Sequence, residues 1–114
     1  MKISVQQMDA FAGSVRQQFE KDMATHLRSR FAGKLAETEA ADLQDLIHTG
    51  IDSAAVYSVV GKGDVRRYVE YMVEFGRDFD TATSWAPAIL AAQGVSGTQK
   101  MNNLDDFTTF ELRG

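Results

Sequence analysis

The stretch DVRRYVEYMVEFGRDFDTATSWAPAIL, Asp64 to Leu90, decides the fold. In its first half Val65, Tyr68, Val69, Met72 and Phe75 recur every three or four positions, which lays an apolar stripe along one side of a helix. The other side reads Arg66, Arg67, Glu70, Glu74 and Arg77. Arg66 and Glu70 are spaced i, i+4 and Glu74 and Arg77 i, i+3, so this side is a solvated face laced with ion pairs. The pattern breaks off at FGRDFDTATSW, Phe75 to Trp85, and resumes in WAPAILAAQG, a short helix with Pro87 in its first turn and Gly94 past its end.

The same logic extends to both sides. VVGKGDV is a turn, with Asp64 placed to cap the helix that follows. Upstream, a helix is expected from about Thr38 to about Val59, burying Leu43, Leu46, Ile47, Ile51, Ala54 and Ala55. Gly50 inside it weakens a helix by up to about 1 kcal/mol relative to alanine, which predicts another helix packed closely against it. An earlier helix starts near Ser4, in capping-box spacing with Gln7, and carries Met8, Phe11, Val15, Phe19, Met23, Leu27 and Phe31 to an end at Ala32-Gly33. Downstream, VSGTQ reads as a flexible joint, and Thr98 to Leu112 as a weaker amphipathic helix carrying Met101, Leu104, Phe107 and Phe110. No period-2 strand pattern of useful length is present. The expected fold is all-α, a compact bundle of about five helices in one domain, residues 1–114, with 95–114 as a loosely attached tail.

Bulk properties restrict the function. A chain of 114 residues suffices for one self-supporting core. With 16 acidic and 12 basic side chains the net charge is -4, which repels a polyanion unless the basic residues cluster, and they do not. There is no cysteine, so disulfides, thiolate catalysis and thiolate metal sites are excluded. MKISVQQMDAF lacks the apolar run of a secretory signal, and no segment has the roughly 18–20 apolar residues of a membrane span, so a cytoplasmic location is expected.

The chemistry-bearing candidates are weak. Gly61-Lys62-Gly63 lacks the Walker A spacing and has Asp64 where Ser or Thr belongs; the dinucleotide fingerprint fails because position 66 is Arg. His48 lies one turn from Asp45 and Asp52, and His26 one turn from Asp22, but no recognisable fourth ligand completes a metal site. Asp78 and Asp80 do not open a calcium loop, since Ala82 and Thr83 occupy its fifth and sixth positions. No catalytic, cofactor-binding or metal-binding residue is assigned, no cofactor is expected, and the expectation is a protein that is not an enzyme.

Two readings of FGRDFDTATSW remain. In the structural one Gly76 ends a helix, Phe79 and Trp85 fold onto the core, and Asp78 or Asp80 bonds free backbone N–H groups of the turn. In the functional one the stretch is a docking surface, because Arg and Trp are the commonest anchors of protein interfaces. Arg66, Arg67, Arg77, Asp78, Asp80 and Trp85 are the candidate partner-binding residues.

The run from Leu46 through Leu90 resembles small helical proteins encoded beside spike and effector genes in bacterial type VI secretion clusters. The similarity lies in Gly50 to Tyr57, Asp64-Val65, Arg67-Tyr68, Phe75-Gly76, Asp78-Phe79-Asp80, Trp85-Ala86 and Ile89-Leu90, with FGRDFD its most specific part. Ser84 departs from the proline usual just before the tryptophan. The resemblance implies an accessory role, assisting an adaptor or chaperone that loads a toxic effector onto the secretion spike, and brings no catalytic residues. The implied partner is a protein: the effector, its adaptor or a spike component, with neither nucleic acid nor membrane involved and homo-oligomerisation left open. The alternative is an immunity protein that neutralises a cognate toxin. A helix-turn-helix DNA binder led by Arg66 and Arg67 ranks below both, because of the net charge.

Overall fold

The computed structural model describes residues 13–112, and all regular structure among them is helical, with no strand. Six α-helices follow one another: α1 Gly13–Arg30, α2 Ala40–Val56, α3 Lys62–Phe75, α4 Phe79–Ala82, α5 Ala86–Leu90 and α6 Gly97–Phe107, with a wider π-type turn at Thr108–Leu112. The fold is all-α, as the periodicity predicts, and the expected count of about five is close. The start of the first helix near Ser4, and the stripe positions Met8 and Phe11, lie outside the described residues. The chain divides between Thr49 and Gly50 into two compact units, and α2 runs through the division.

In the first unit Phe19, Met23 and Leu27 of α1 and Leu43 and Ile47 of α2 are buried, the positions the apolar spacing selects. Val15 belongs to the same expected stripe yet is 48% exposed. Between the helices Leu35 is buried in the turn. Arg28 fastens that turn, donating from one guanidinium nitrogen to the Leu35 carbonyl and from another to the Thr38 carbonyl, both at 2.7 Å. The Thr38 carbonyl just before α2 is thereby satisfied by a charged donor, and the Leu35 carbonyl, which also accepts from Thr38 N–H at 3.0 Å, gains a second bond.

The second unit opens with the end of α2, which stops at Val56, before the expected Val59. The reason is a Schellman turn: Val59 N–H donates to Ala54 O and Ser58 N–H to Ala55 O, each at 3.0 Å, with Ser58 in the left-handed region at φ 65. Glycine is the usual occupant of that position. The left-handed conformation costs an L-residue roughly 1–2 kcal/mol, partly offset by the extra chain entropy glycine loses on folding. Ser58→Gly is therefore expected to stabilise the protein by about 0.5–1 kcal/mol, read as a higher urea midpoint at unchanged slope.

Close packing against Gly50 is borne out. A Cβ there would lie 2.8 Å from both the Met72 sulfur and a Val69 methyl carbon, so α3 approaches α2 where the glycine has no side chain. Along α3, Val65, Tyr68, Val69, Tyr71 and Met72 are buried, and Phe75 is half-buried. Asp64 does not cap this helix. The N-cap is Gly61 in extended conformation, with no side-chain cap, and Asp64 sits in the first turn, where its carboxylate is used elsewhere. VSGTQ is likewise no flexible joint: Ser96 caps α6 by accepting from Gln99 N–H at 3.1 Å, and the helix starts at Gly97. Lys100, Met101 and Leu104 of α6 and Thr108 after it are buried, and α6 packs against α3 and α5, so this segment carries part of the core.

Candidate functional site

The FGRDFD corner is built from the backbone outward. Gly76 ends α3 at φ 115, a conformation natural to glycine, and its N–H donates to Met72 O at 3.0 Å. The reversal drives Phe79 inward to 0% exposure, where its ring lies 5.0 Å from Tyr68 and 5.6 Å from Tyr71. Trp85 closes the other side, edge-on to Phe75 at 5.2 Å and stacked on Phe107 of α6 at 5.5 Å. Separations of 4.5–7 Å are those at which aromatic pairs attract beyond simple burial, so the corner is braced by a cluster of rings. Phe79 behaves as the structural reading expects; Trp85 folds onto the cluster but stays partly exposed.

Neither aspartate serves the turn as expected. Asp78 stands at the N-cap of α4 without a side-chain cap bond, and Asp80 instead accepts from the Tyr57 hydroxyl at 2.7 Å. Burial, that hydrogen bond and the Asp80 charge push the Tyr57 phenol up to about 12. Entry into α5 is handled by Thr83, whose Oγ1 donates to Phe79 O at 2.8 Å and accepts from Ala86 N–H at 3.1 Å. This hydroxyl, bonded on both sides, guides the chain into the helix.

The six candidate partner-binding residues thus separate. Arg77 and Asp78 are exposed side by side on the corner, and Arg66 is exposed on α3. Arg67, expected on the solvated face, is instead turned inward. It donates to Asp64 of its own helix and to Asp105 of α6, both at 2.7 Å, and to the Asn102 side chain at 3.0 Å. Asp105 also accepts from the Tyr71 hydroxyl at 2.7 Å, which in turn lies 3.1 Å from Thr108 Oγ1, and Thr98 donates to Asp64. One guanidinium and two carboxylates thereby hold α6 to α3, a binding role within the chain. Tyr71 escapes a strict apolar count, though its spacing from Tyr68 (i+3) and Phe75 (i−4) marks it as part of the same face. Asp105 and Thr108 give no such signal.

This network sets an acid dependence. Burial opposes ionisation of Asp64, but hydrogen bonds from Thr98 and Arg67 and the Arg67 charge outweigh it and hold the carboxyl below its usual range. A depressed carboxyl contributes stability that is complete above the unfolded value, about pH 4, and fades as pH falls through the folded value. The melting temperature of Arg67→Met is therefore expected to lie below wild type at pH 7 and to approach it as the pH falls below about 4. A constant gap across that range would refute the assignment.

The metal candidates are otherwise engaged or dispersed. His48 Nδ1 lies 3.0 Å from Glu20 Oε2 and 3.2 Å from an Arg16 guanidinium nitrogen. Among the described residues no group of three His, Asp or Glu is arranged to hold a metal ion, and no helix is long and apolar enough to cross a membrane. Compared with protein-family models, curated proteins and solved structures, the chain matches none of them.

Proposed function

We propose that this chain is a non-catalytic accessory protein, a cytoplasmic co-adaptor that binds a type VI secretion effector, its adaptor or a spike component and assists its loading for export. The observation that supports it is the FGRDFD corner, the most specific part of the resemblance. There Arg77 and Asp78 stand exposed on a turn braced by Phe79, Trp85 and the neighbouring rings. A charged pair on a preformed turn is suited to docking, because little conformational entropy remains to be lost on binding. In this reading Arg77 and Asp78 make the contact, Arg66 and the open edge of Trp85 flank it, and Arg67 and Asp80 hold the surface in shape.

Copurification from the native operon, repeated with Arg77→Ala, tests the docking surface. The substitution is expected to leave the melting temperature close to wild type and to weaken capture by about 2 kcal/mol or more, the range of an interface anchor. Unchanged capture would confine the corner to a structural role. A toxicity rescue assay then separates the two classes of function. The co-adaptor leaves a recipient cell that expresses the toxin unprotected and changes export alone, whereas protection of the recipient would overturn this proposal in favour of an immunity protein.

A further inference from the structure

A second feature adjoins the FGRDFD corner through Tyr57, whose hydroxyl bonds Asp80. The Schellman turn after α2, the chain that follows α5 and the start of α6 line an open pocket of about 410 Å3, within the range typical of ligand pockets. Tyr57, Ser58, Leu90, Gly94, Val95 and Lys100 form much of its wall. Lys100 is 6% exposed, yet its ammonium group donates to the Tyr57 carbonyl at 2.9 Å and, among the described residues, pairs with no carboxylate. None of the described lining residues is acidic. In the same lining Gly94 turns the chain at φ 71, and the backbone N–H groups of Gln93 and Gly94 have no partner among the described residues.

Lysine is almost never buried to this degree without an opposite charge, because one neutral carbonyl does not replace the hydration of an ammonium ion. The nearby carbonyl ends of α2 and α5 supply partial negative charge and explain why the side chain can lie there. They leave two of its three N–H donors without a charged acceptor. We propose that this pocket is a carboxylate-binding site in which Lys100 supplies the charge, with backbone N–H donors available from the 93–94 turn. The inference is independent of the export reading. The carboxylate belongs either to a small organic acid or to the C-terminus of a polypeptide, and the volume accommodates a carboxylate with one or two residues behind it.

The experiment is an NMR titration of the full chain at constant ionic strength in chloride, observing backbone amides and the side-chain resonances of Lys100. The probes are acetate, N-acetyl-Gly-Gly with a free carboxylate, and the same peptide as its amide. Acetate or the peptide acid is expected to give saturable shifts at Ser58, Gly94 and the Lys100 side chain, while the amide gives none. Peptide acid binding at least tenfold tighter than acetate assigns the site to a chain terminus, and equal or weaker binding to a small acid. Lys100→Met is expected to weaken the acid at least tenfold and Lys100→Arg by no more than about threefold. No saturable shift with either acid, an equal response to the amide, or undiminished binding by a folded Lys100→Met variant would overturn the proposal. The Lys100 resonances of the wild-type protein decide the matter should Lys100→Met fail to fold.

Discussion

Phe79→Ala is expected to lower stability by about 3–5 kcal/mol, among the largest costs any single truncation can exact here. The ring is fully buried and lies 5.0, 5.6 and 6.5 Å from the rings of Tyr68, Tyr71 and Trp85, so its removal leaves a cavity in the middle of the aromatic cluster. Collapse around that cavity is restricted on one side by Gly76 and on the other by the Thr83 bonds into α5. Trp85→Ala should cost less, about 2–3 kcal/mol, because the indole is partly exposed and loses less on truncation. Chemical denaturation of both variants checks the order, and a milder effect at Phe79 than at Trp85 would contradict the burial pattern.

Gly97→Ala is expected to cost about 3 kcal/mol or more, although the change adds a single methyl group to the start of a helix. A Cβ at this position would collide with the Ser58 carbonyl oxygen and stand 3.0 Å from both the carbonyl carbon of Ser58 and the Cα of Val59. These are backbone atoms fixed by the Schellman turn, so no rotamer change relieves the clash and α6 must shift bodily. Gly63→Ala is the control. Nothing lies within 4 Å of a Cβ there, and in the first turn of α3 alanine should be neutral or stabilising by up to about 1 kcal/mol. Equal melting temperatures for the two variants would show that the close approach at Gly97 does not exist in solution.

These two positions mark the limits of what the sequence makes legible. Phe79 could be placed inside because a glycine and an apolar ring at the end of a periodic helix leave few other arrangements, and Gly50 could be read as a packing site because a mid-helix glycine is otherwise a net cost. The positions of α3, α5 and the core face of α6 follow from the same spacing. Gly97, between Ser96 and Thr98, has the composition of a loose linker, and only the tertiary approach of residues 58–59 shows that its missing side chain is the point. Ser58 could not be recognised as a helix terminator because the left-handed position is identified in sequence by glycine. The turning inward of Arg67 was hidden for a different reason: its partner Asp105 is 38 residues away, and helical period decides which face a residue shares with its neighbours, not which distant acid meets it. The corner itself was half legible. Its exposed charges could be anticipated, whereas Asp80 found a phenol and Thr83 took over the bonds of the turn.

The distribution of rings has a practical outcome for spectroscopy. The sequence holds one tryptophan and three tyrosines, and Trp85, Tyr57, Tyr68 and Tyr71 all fall in the unit that begins at Gly50. Intrinsic fluorescence excited at the indole, and tyrosine and tryptophan signals in the near ultraviolet, thus watch residues 50–114 and are blind to residues 1–49, whereas far-ultraviolet circular dichroism records helix in both. One denaturation curve followed by the two probes therefore acts as a built-in differential label. Superimposed transitions would mean that the whole chain melts as a single cooperative body, and separated midpoints would give the stability of each half without a single substitution.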